Sequence, residues 1–204
     1  MTASEIDPSP WLVSAQRHLG RLLWYLGDPA GPDLVRAALA LAETMPRSIE
    51  YGPTLIAGVE VGLWRDDRAG ASGALERALT AGLAVEQRIE ALCALAAVLH
   101  EAGERVAAHK RLDAARALAV TLGAPRTLWL VDWTRGLVAV AEGDQPAAAV
   151  AFEEAVARAR AAGLPHELAR SLARLAVLPG GKPGRAGSMQ AEARAINRQL
   201  GVRA

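Results

Sequence analysis

The chain has 204 residues, of which 51% are hydrophobic but only 4% aromatic, because alanine supplies much of the apolar content. Small apolar side chains favour closely packed helices over a β-rich core. The 23 basic and 22 acidic residues leave a net charge of +1, so the overall charge does not attract nucleic acid or an anionic membrane.

The first ten residues are predicted to form an N-terminal tail, 1–10. The opening stretch, MTASEIDPSPWLV, contains Glu5, Asp7, Pro8 and Pro10, whereas a secretion signal needs a basic start followed by an apolar run. Nowhere along the chain does an uncharged apolar run reach the roughly 18 residues of a membrane-spanning helix. We therefore expect a soluble, cytoplasmic protein with no membrane partner.

Beyond the tail, apolar residues recur at helical spacing between short turn-forming segments such as EAGE and EGDQP. Ser9 and Pro10 are predicted to cap the first helix. First helices of successive pairs are predicted near 11–26, 49–64, 85–102, 126–142 and 166–178. Second helices are predicted near 33–45, 69–81, 104–121, 146–162 and 187–200. Strand patterns are absent, so the fold class is predicted to be all-α.

The sequence repeats itself with a period of about 39 residues. Residues 96–123 and 136–163 agree at eight positions, and the small residue of each second helix recurs as Ala38, Ala78, Ala115, Ala155 and Ala193. Such periodicity is typical of stacked helical hairpins. We predict one domain over 11–204, an α–α superhelix of about five antiparallel hairpins, with repeat units at 11–46, 49–82, 85–123, 126–163 and 166–201.

The pattern of small and large residues resembles the tetratricopeptide repeat (TPR), in which two alanines flank a large apolar residue. The fourth unit carries Gly136, Ala148, Phe152 and Ala155, and the third carries Ala96, Ala108, Leu112 and Ala115. The longer period is similar to that of the helical-repeat region of bacterial LuxR- and MalT-type regulators. This resemblance implies a TPR-like solenoid that acts as a regulatory interaction module.

The ATPase and DNA-binding activities of those regulators do not carry over. A phosphate-binding loop needs Ser or Thr after the lysine, but in PGGKPGRAG, at 179–187, Lys182 is followed by Pro183. We interpret this segment as a flexible connector. No helix-turn-helix is recognisable either, so direct nucleic-acid binding is not expected.

The predicted binding site is a groove lined by first helices, where helical-repeat proteins hold extended peptides or partner helices. Equivalent positions on these helices are Arg21, Trp24, Glu60, Trp64, His100, Trp133, Leu137 and Val140. All five tryptophans, Trp11, Trp24, Trp64, Trp129 and Trp133, fall on predicted first helices. Two interpretations stay open: the rings pack between repeats, or they form an apolar groove with Trp133 as the main contact.

No arrangement of reactive residues predicts catalysis. Cys93 and His100 are seven positions apart, which is roughly 10 Å along a helix and too far for a thiolate–imidazole pair. The histidines and carboxylates show no metal-ligand spacing. We expect no catalytic residues, no metal and no cofactor.

The two ends of the array differ in their apolar patterns. The last predicted helix has one apolar stripe, Met189, Ala193, Ile196 and Leu200, as a capping helix should. In the first helix, apolar residues from Trp11 to Leu26 wrap well around the axis. This wider face predicts a homodimer through the N-terminal hairpin.

The sequence as a whole predicts a non-catalytic adaptor that binds a protein or peptide partner in its groove. The alternative is a regulatory sensor for a small apolar ligand or a signalling peptide, bound between Trp64 and Trp133. An enzyme is the least favoured interpretation.

Overall fold

The computed structural model describes residues 9–179 and 183–202. Within these ranges the chain forms ten α-helices and no strand. They are α1 (Pro10–Tyr25), α2 (Ala30–Glu43), α3 (Tyr51–Glu60), α4 (Arg68–Thr80), α5 (Val85–Glu101), α6 (Arg105–Leu122), α7 (Pro125–Glu142), α8 (Gln145–Ala161), α9 (Pro165–Ala176) and α10 (Pro183–Gln199). The all-α prediction is confirmed. None of these helices combines the length and the hydropathy that crossing a bilayer requires.

The predicted helix boundaries need two corrections. Helix α3 ends at Glu60 instead of residue 64, because Gly62 takes a left-handed conformation with φ 82° and its amide donates to the Val59 carbonyl. Helix α10 begins at Pro183 instead of residue 187. The flexible-connector interpretation is therefore wrong for residues 183–187, while residues 180–182 lie outside the described residues.

The start of α1 agrees with the sequence only in part. Pro10 occupies the first turn, as predicted, and Ser9 is extended at the N-cap position. The Ser9 side chain makes no capping hydrogen bond. Residues 1–8 of the predicted tail lie outside the described residues.

The chain divides into two compact units, one ending at Gln87 and the other beginning at Arg88. Unit 1 contains α1–α4, and unit 2 contains nearly all of α5 together with α6–α10. The single domain over 11–204 and its repeat boundaries stay predictions.

In unit 1, α1 and α2 touch through their backbones. A Cβ atom on Gly31 would lie 2.6 Å from the Trp24 nitrogen and 2.7 Å from the Gly20 carbonyl oxygen. Neither glycine can carry a larger side chain without a backbone shift. This contact brings Val13, Val35 and Ala38 into a buried core.

In unit 2, the core is built around Phe152, which is fully buried on α8. A Cβ atom on Gly136 of α7 would lie 2.6 Å from the Phe152 ring. Ala148 and Ala155 are fully buried in the same cluster. The small and large residues that carried the TPR resemblance in the fourth repeat therefore meet between α7 and α8.

Candidate functional site

In unit 1, α1 and α3 bring the predicted groove residues Arg21 and Glu60 into direct contact. The Arg21 Nε lies 2.6 Å from a Glu60 carboxylate oxygen, and the Tyr25 hydroxyl donates to the other oxygen. Burial and the Glu60 carboxylate raise the pKa of Tyr25 to about 12. The ion pair and the tyrosine hydrogen bond hold α1 against α3.

Trp24 and Trp64 are each half-buried within unit 1. The Trp24 side chain packs against the core residues Val35, Ala57 and Val61. Trp64 lies in the turn after α3, and its ring covers Gly58 and Gly70. Trp64 is therefore not on a first helix as predicted, because α3 stops before reaching it.

In unit 2, ion pairs join the starts of α5, α7 and α9. Arg126 of α7 lies 3.7 Å from Glu90 of α5 and 3.2 Å from Glu167 of α9. Three successive first helices are thus linked at one end of a common face. Arg126 and Glu167 are not among the residues predicted from sequence, although their separation of 41 residues is close to one repeat period and would have placed them side by side.

A second polar cluster includes the end of α7. One Glu142 carboxylate oxygen lies 3.5 Å from the Nε2 atom of His100 on α5 and 3.0 Å from that of His109 on α6. His100, a predicted groove residue, is half-buried. It therefore faces Glu142 and contributes to packing between α5 and α7.

Trp133 belongs to the core. Only 6% of the residue is exposed, because its ring stacks on Trp129 at 5.7 Å and meets the edge of Phe152 at 5.4 Å, measured between ring centroids. The Arg170 guanidinium covers the ring at 4.7 Å from its centroid. This burial supports the interpretation in which the Trp133 ring packs between repeats, since its neighbours leave it almost no accessible surface. A groove contact through Trp133 stays a prediction.

On the face that α5, α7 and α9 share, a short apolar strip on α7 remains partly exposed; we define the strip as Leu130, Leu137 and Val140. The two leucines are half-buried and Val140 is 38% exposed. Spacings of seven and three place the three side chains on one side of the helix. On α9, Arg170 reaches the same region through its contact with Trp133, and the exposed Arg174 and Val177 follow at steps of four and three. Leu137 and Val140, both predicted groove residues, thus lie beside a basic edge.

Buried polar groups beneath this face are paired. Asp132 of α7 accepts a hydrogen bond from the Arg158 Nε of α8 at 2.5 Å. Burial raises the pKa of Asp132, and the neighbouring arginine works against that increase. Trp129 donates its indole N–H to Ser171 of α9 at 2.9 Å. These hydrogen bonds fix α7 between α8 and α9, so the helix that carries the apolar strip is held in place by its neighbours.

A shallow cavity of about 300 Å³ lies on another side of unit 2, bordered by α6, α7 and α8. Its apolar lining consists of Leu112, Val138, Ala139, Ala147 and Ala151, and its charged or ionisable lining consists of His109, Asp113, Arg116, Arg135, Glu142 and Asp144. The mixture of charges does not match the small apolar ligand expected from sequence, nor does the cavity include a tryptophan.

Cys93 offers no reactive thiol. It is buried in α5, and burial raises the pKa of the thiol to about 12 while a hydrogen bond with Thr134 acts in the opposite direction. Within the described part of the chain, no group of three or more His, Cys, Asp or Glu side chains could hold a metal ion.

We expect Cys93 to be unreactive toward a thiol reagent such as 5,5′-dithiobis(2-nitrobenzoic acid) in the folded protein at pH 8. With a pKa of about 12, roughly one thiol in 10,000 is ionised at that pH, and burial excludes the reagent. Absorbance of the released thiolate should remain flat until urea unfolds the chain, then rise to one equivalent. Fast labelling of the native protein would show an accessible thiol.

Comparison with known proteins identifies the fold. No protein-family model matches the chain, and no curated protein matches its sequence. The structure of BtubC (BKLC) from P. vanneervenii aligns with a TM-score of 0.64 at 16% identity, over 99% of this chain and 94% of that chain. The chain has a TPR-like solenoid fold. A Podosopora anserina kinesin light chain-like protein with nearly identical TPR-like repeats aligns with a TM-score of 0.56 at 17% identity, over 94% of this chain and 98% of that chain. At these identities the similarity establishes the fold alone.

Proposed function

We propose that this TPR-like chain is a non-catalytic interaction module that binds a protein or peptide segment along the α5–α7–α9 face of unit 2. The observation that carries the proposal is the apolar strip of Leu130, Leu137 and Val140, in which Val140 is exposed and the two leucines are half-buried. Helical-repeat proteins use first-helix faces to receive extended segments or partner helices. The ion pairs of Arg126 and the contact between Glu142 and His100 hold the three first helices in place before a partner arrives, which lowers the ordering cost of binding.

The charges around the strip indicate the chemistry of the partner. Arg170 lies over the Trp133 ring, and Arg174 is exposed one turn further along α9. A segment with one or two apolar side chains for the strip and an acidic group for the exposed Arg174 matches this surface. We therefore propose an extended or helical segment that combines apolar and acidic residues.

Val140→Glu tests the proposal, because Val140 is the most exposed residue of the strip and a carboxylate there opposes both apolar contact and an acidic partner. We expect recovery of the partner in affinity purification from the host, quantified by mass spectrometry, to fall at least about tenfold. The matched control is Val150→Glu, which places the same substitution at an exposed valine of α8 and should leave recovery unchanged. Equal recovery with Val140→Glu, or equal loss with both variants, would contradict the assignment of this face.

A second candidate function, sensing of a small molecule, is supported by the cavity between α6, α7 and α8. Its volume of about 300 Å³ is at the lower end for small-molecule sites. The charged lining favours a polar or zwitterionic ligand over the apolar ligand first considered. A low-mass adduct retained by the freshly purified protein in native mass spectrometry would favour this function over partner binding.

Two finer aspects of the proposal rest on the sequence. The resemblance to LuxR- and MalT-type regulators supports a regulatory role, in which the bound segment belongs to a signalling partner. The single cysteine, which cannot form a disulfide within the chain, supports a cytoplasmic location.

A further inference from the structure

Helix α1 exposes a continuous apolar stripe, which we define as Trp11, Leu12, Ala15, Leu19 and Leu22. Trp11 is 85% exposed, and Leu12, Leu19 and Leu22 are 37%, 49% and 54% exposed. From Leu12 the stripe advances in steps of three, four and three, the spacing that keeps side chains on one side of a helix facing a second helix. The α1 stripe thus has the pattern of one half of a two-helix contact.

This concentration of apolar surface is specific to α1. Among the described residues, the other strongly exposed large hydrophobics are dispersed over several elements: Ile49, Val85, Val106, Val120, Val140, Val150, Val177 and Leu200. Scattered exposed side chains are ordinary, whereas a contiguous apolar patch marks an interaction surface. The α1 stripe is therefore a contiguous apolar patch of the kind that marks an interaction surface.

The charged residues of α1 point away from the stripe. Arg17 pairs with Glu50 at 2.8 Å and Arg21 pairs with Glu60 at 2.6 Å, both within unit 1. His18 borders the stripe, and partial burial together with the nearby Arg17 and Arg21 lowers the pKa of its imidazole, which disfavours the charged form. An uncharged face of this kind can meet an identical face without repulsion between like charges.

We propose that a second copy of this chain binds the α1 stripe, with the two α1 helices antiparallel about a two-fold axis. In this register Leu12 lies opposite Leu22 of the second copy, and Ala15 lies opposite Leu19 of the second copy. Each large side chain at the centre then meets a small one, and every contact occurs twice, as two-fold symmetry requires. The stripe is complementary to itself only in the antiparallel arrangement, since a parallel pair would set Ala15 against Ala15.

The area of the stripe is sufficient for a reversible dimer. Large apolar side chains present about 200 Å² each when fully exposed, so the observed exposed fractions amount to roughly 400–500 Å² per copy. Two copies would bury close to 1,000 Å², about the minimum for a specific interface. We therefore expect association in the micromolar range and a monomer on dilution.

Sedimentation equilibrium of the full chain over a range of concentrations tests the proposal. The mass should rise from 21.4 kDa toward twice that value, and Leu19→Glu/Leu22→Glu should remain monomeric at every concentration. The matched control, Val106→Glu/Val120→Glu, changes two exposed residues of α6 and should dimerise like the parent. A parent chain that stays monomeric at about 100-fold above micromolar concentration would overturn the proposal. A dimer that persists in Leu19→Glu/Leu22→Glu would overturn the assignment to α1.

Cross-linking tests the register independently of these charge substitutions. In a Cys93→Ala background, a chain carrying Leu12→Cys is mixed with one carrying Leu22→Cys and treated with a short bis-maleimide. In the antiparallel register Leu12 lies opposite Leu22 of the second copy but about 15 Å along the axis from Leu12 of the second copy, so the mixed cross-linked dimer should dominate and Leu12→Cys alone should yield little. Efficient cross-linking of Leu12→Cys to itself would contradict the antiparallel register. The Val140→Glu variant should still dimerise, which separates this proposal from partner binding in unit 2.

Discussion

Trp133→Ala is expected to lower the free energy of unfolding of unit 2 by about 3–5 kcal/mol. The substitution removes a buried indole that contacts Trp129, Phe152 and the Arg170 guanidinium. The surrounding helices cannot collapse fully into the space, because α7 is tied to α8 through Asp132 and to α9 through Trp129. A residual cavity therefore adds to the lost hydrophobic transfer free energy. Urea unfolding followed by far-UV circular dichroism measures the loss.

Val150→Ala provides the control for this experiment, because Val150 is exposed on the adjoining helix α8. It should change the free energy of unfolding by less than about 0.5 kcal/mol. A loss below about 1 kcal/mol for Trp133→Ala would show that the ring is dispensable to the core. With the expected large loss, weaker partner recovery in Trp133→Ala would reflect unfolding, so Val140→Glu is the informative variant for binding.

The helices and their tight contacts could be predicted from sequence because they depend on local spacing. Gly136 and Phe152 are separated as the TPR pattern requires, and the structure places the ring against the glycine. The same reasoning failed at Trp64, where Gly62 ends α3 early. Gly62 was the residue in the sequence that could have predicted this helix end. The apolar residues that continue through the turn made the helix look longer than it is.

The candidate site was harder to predict, because periodicity gives the direction of a side chain but not what covers it. Trp133 and Val140 are seven residues apart and share one side of α7. Arg170 and Phe152 cover Trp133, while Val140 stays 38% exposed. That difference depends on α8 and α9, whose side chains reach α7 only after the hairpins stack. The ion pairs of Arg126 likewise required knowing which residues of successive repeats become neighbours.

The two candidate surfaces differ in how their polar groups are used. In unit 1 the charges of Arg17 and Arg21 on α1 are directed toward Glu50 and Glu60, and the exposed α1 stripe on the other side of the helix is apolar, with His18 at its border. In unit 2 the apolar strip lies beside Arg170 and the exposed Arg174. An uncharged stripe suits an identical copy, whereas a strip with a basic edge selects for a different partner with acidic groups. The two proposed interactions are therefore compatible in one chain.

Gly31→Ala is expected to destabilise unit 1 by about 1–3 kcal/mol, although alanine is ordinarily the better helix former. The added Cβ atom would meet the Trp24 nitrogen at 2.6 Å and the Gly20 carbonyl oxygen at 2.7 Å. Both are backbone atoms, so α1 and α2 must move apart, and the core contact of Val13 and Ala38 loosens. Urea unfolding of the full chain, compared with the parent, measures the effect.

Gly73→Ala makes the same chemical change in α4 of the same unit, where a Cβ atom would meet nothing within 4 Å. There the restricted unfolded chain and the better helix propensity should stabilise the protein by about 0.4–1 kcal/mol. The two substitutions should thus have opposite signs. A stabilising Gly31→Ala would mean that α1 and α2 do not approach at Gly20 and Gly31, and the orientation of α1 that exposes its apolar stripe would then have to be revised.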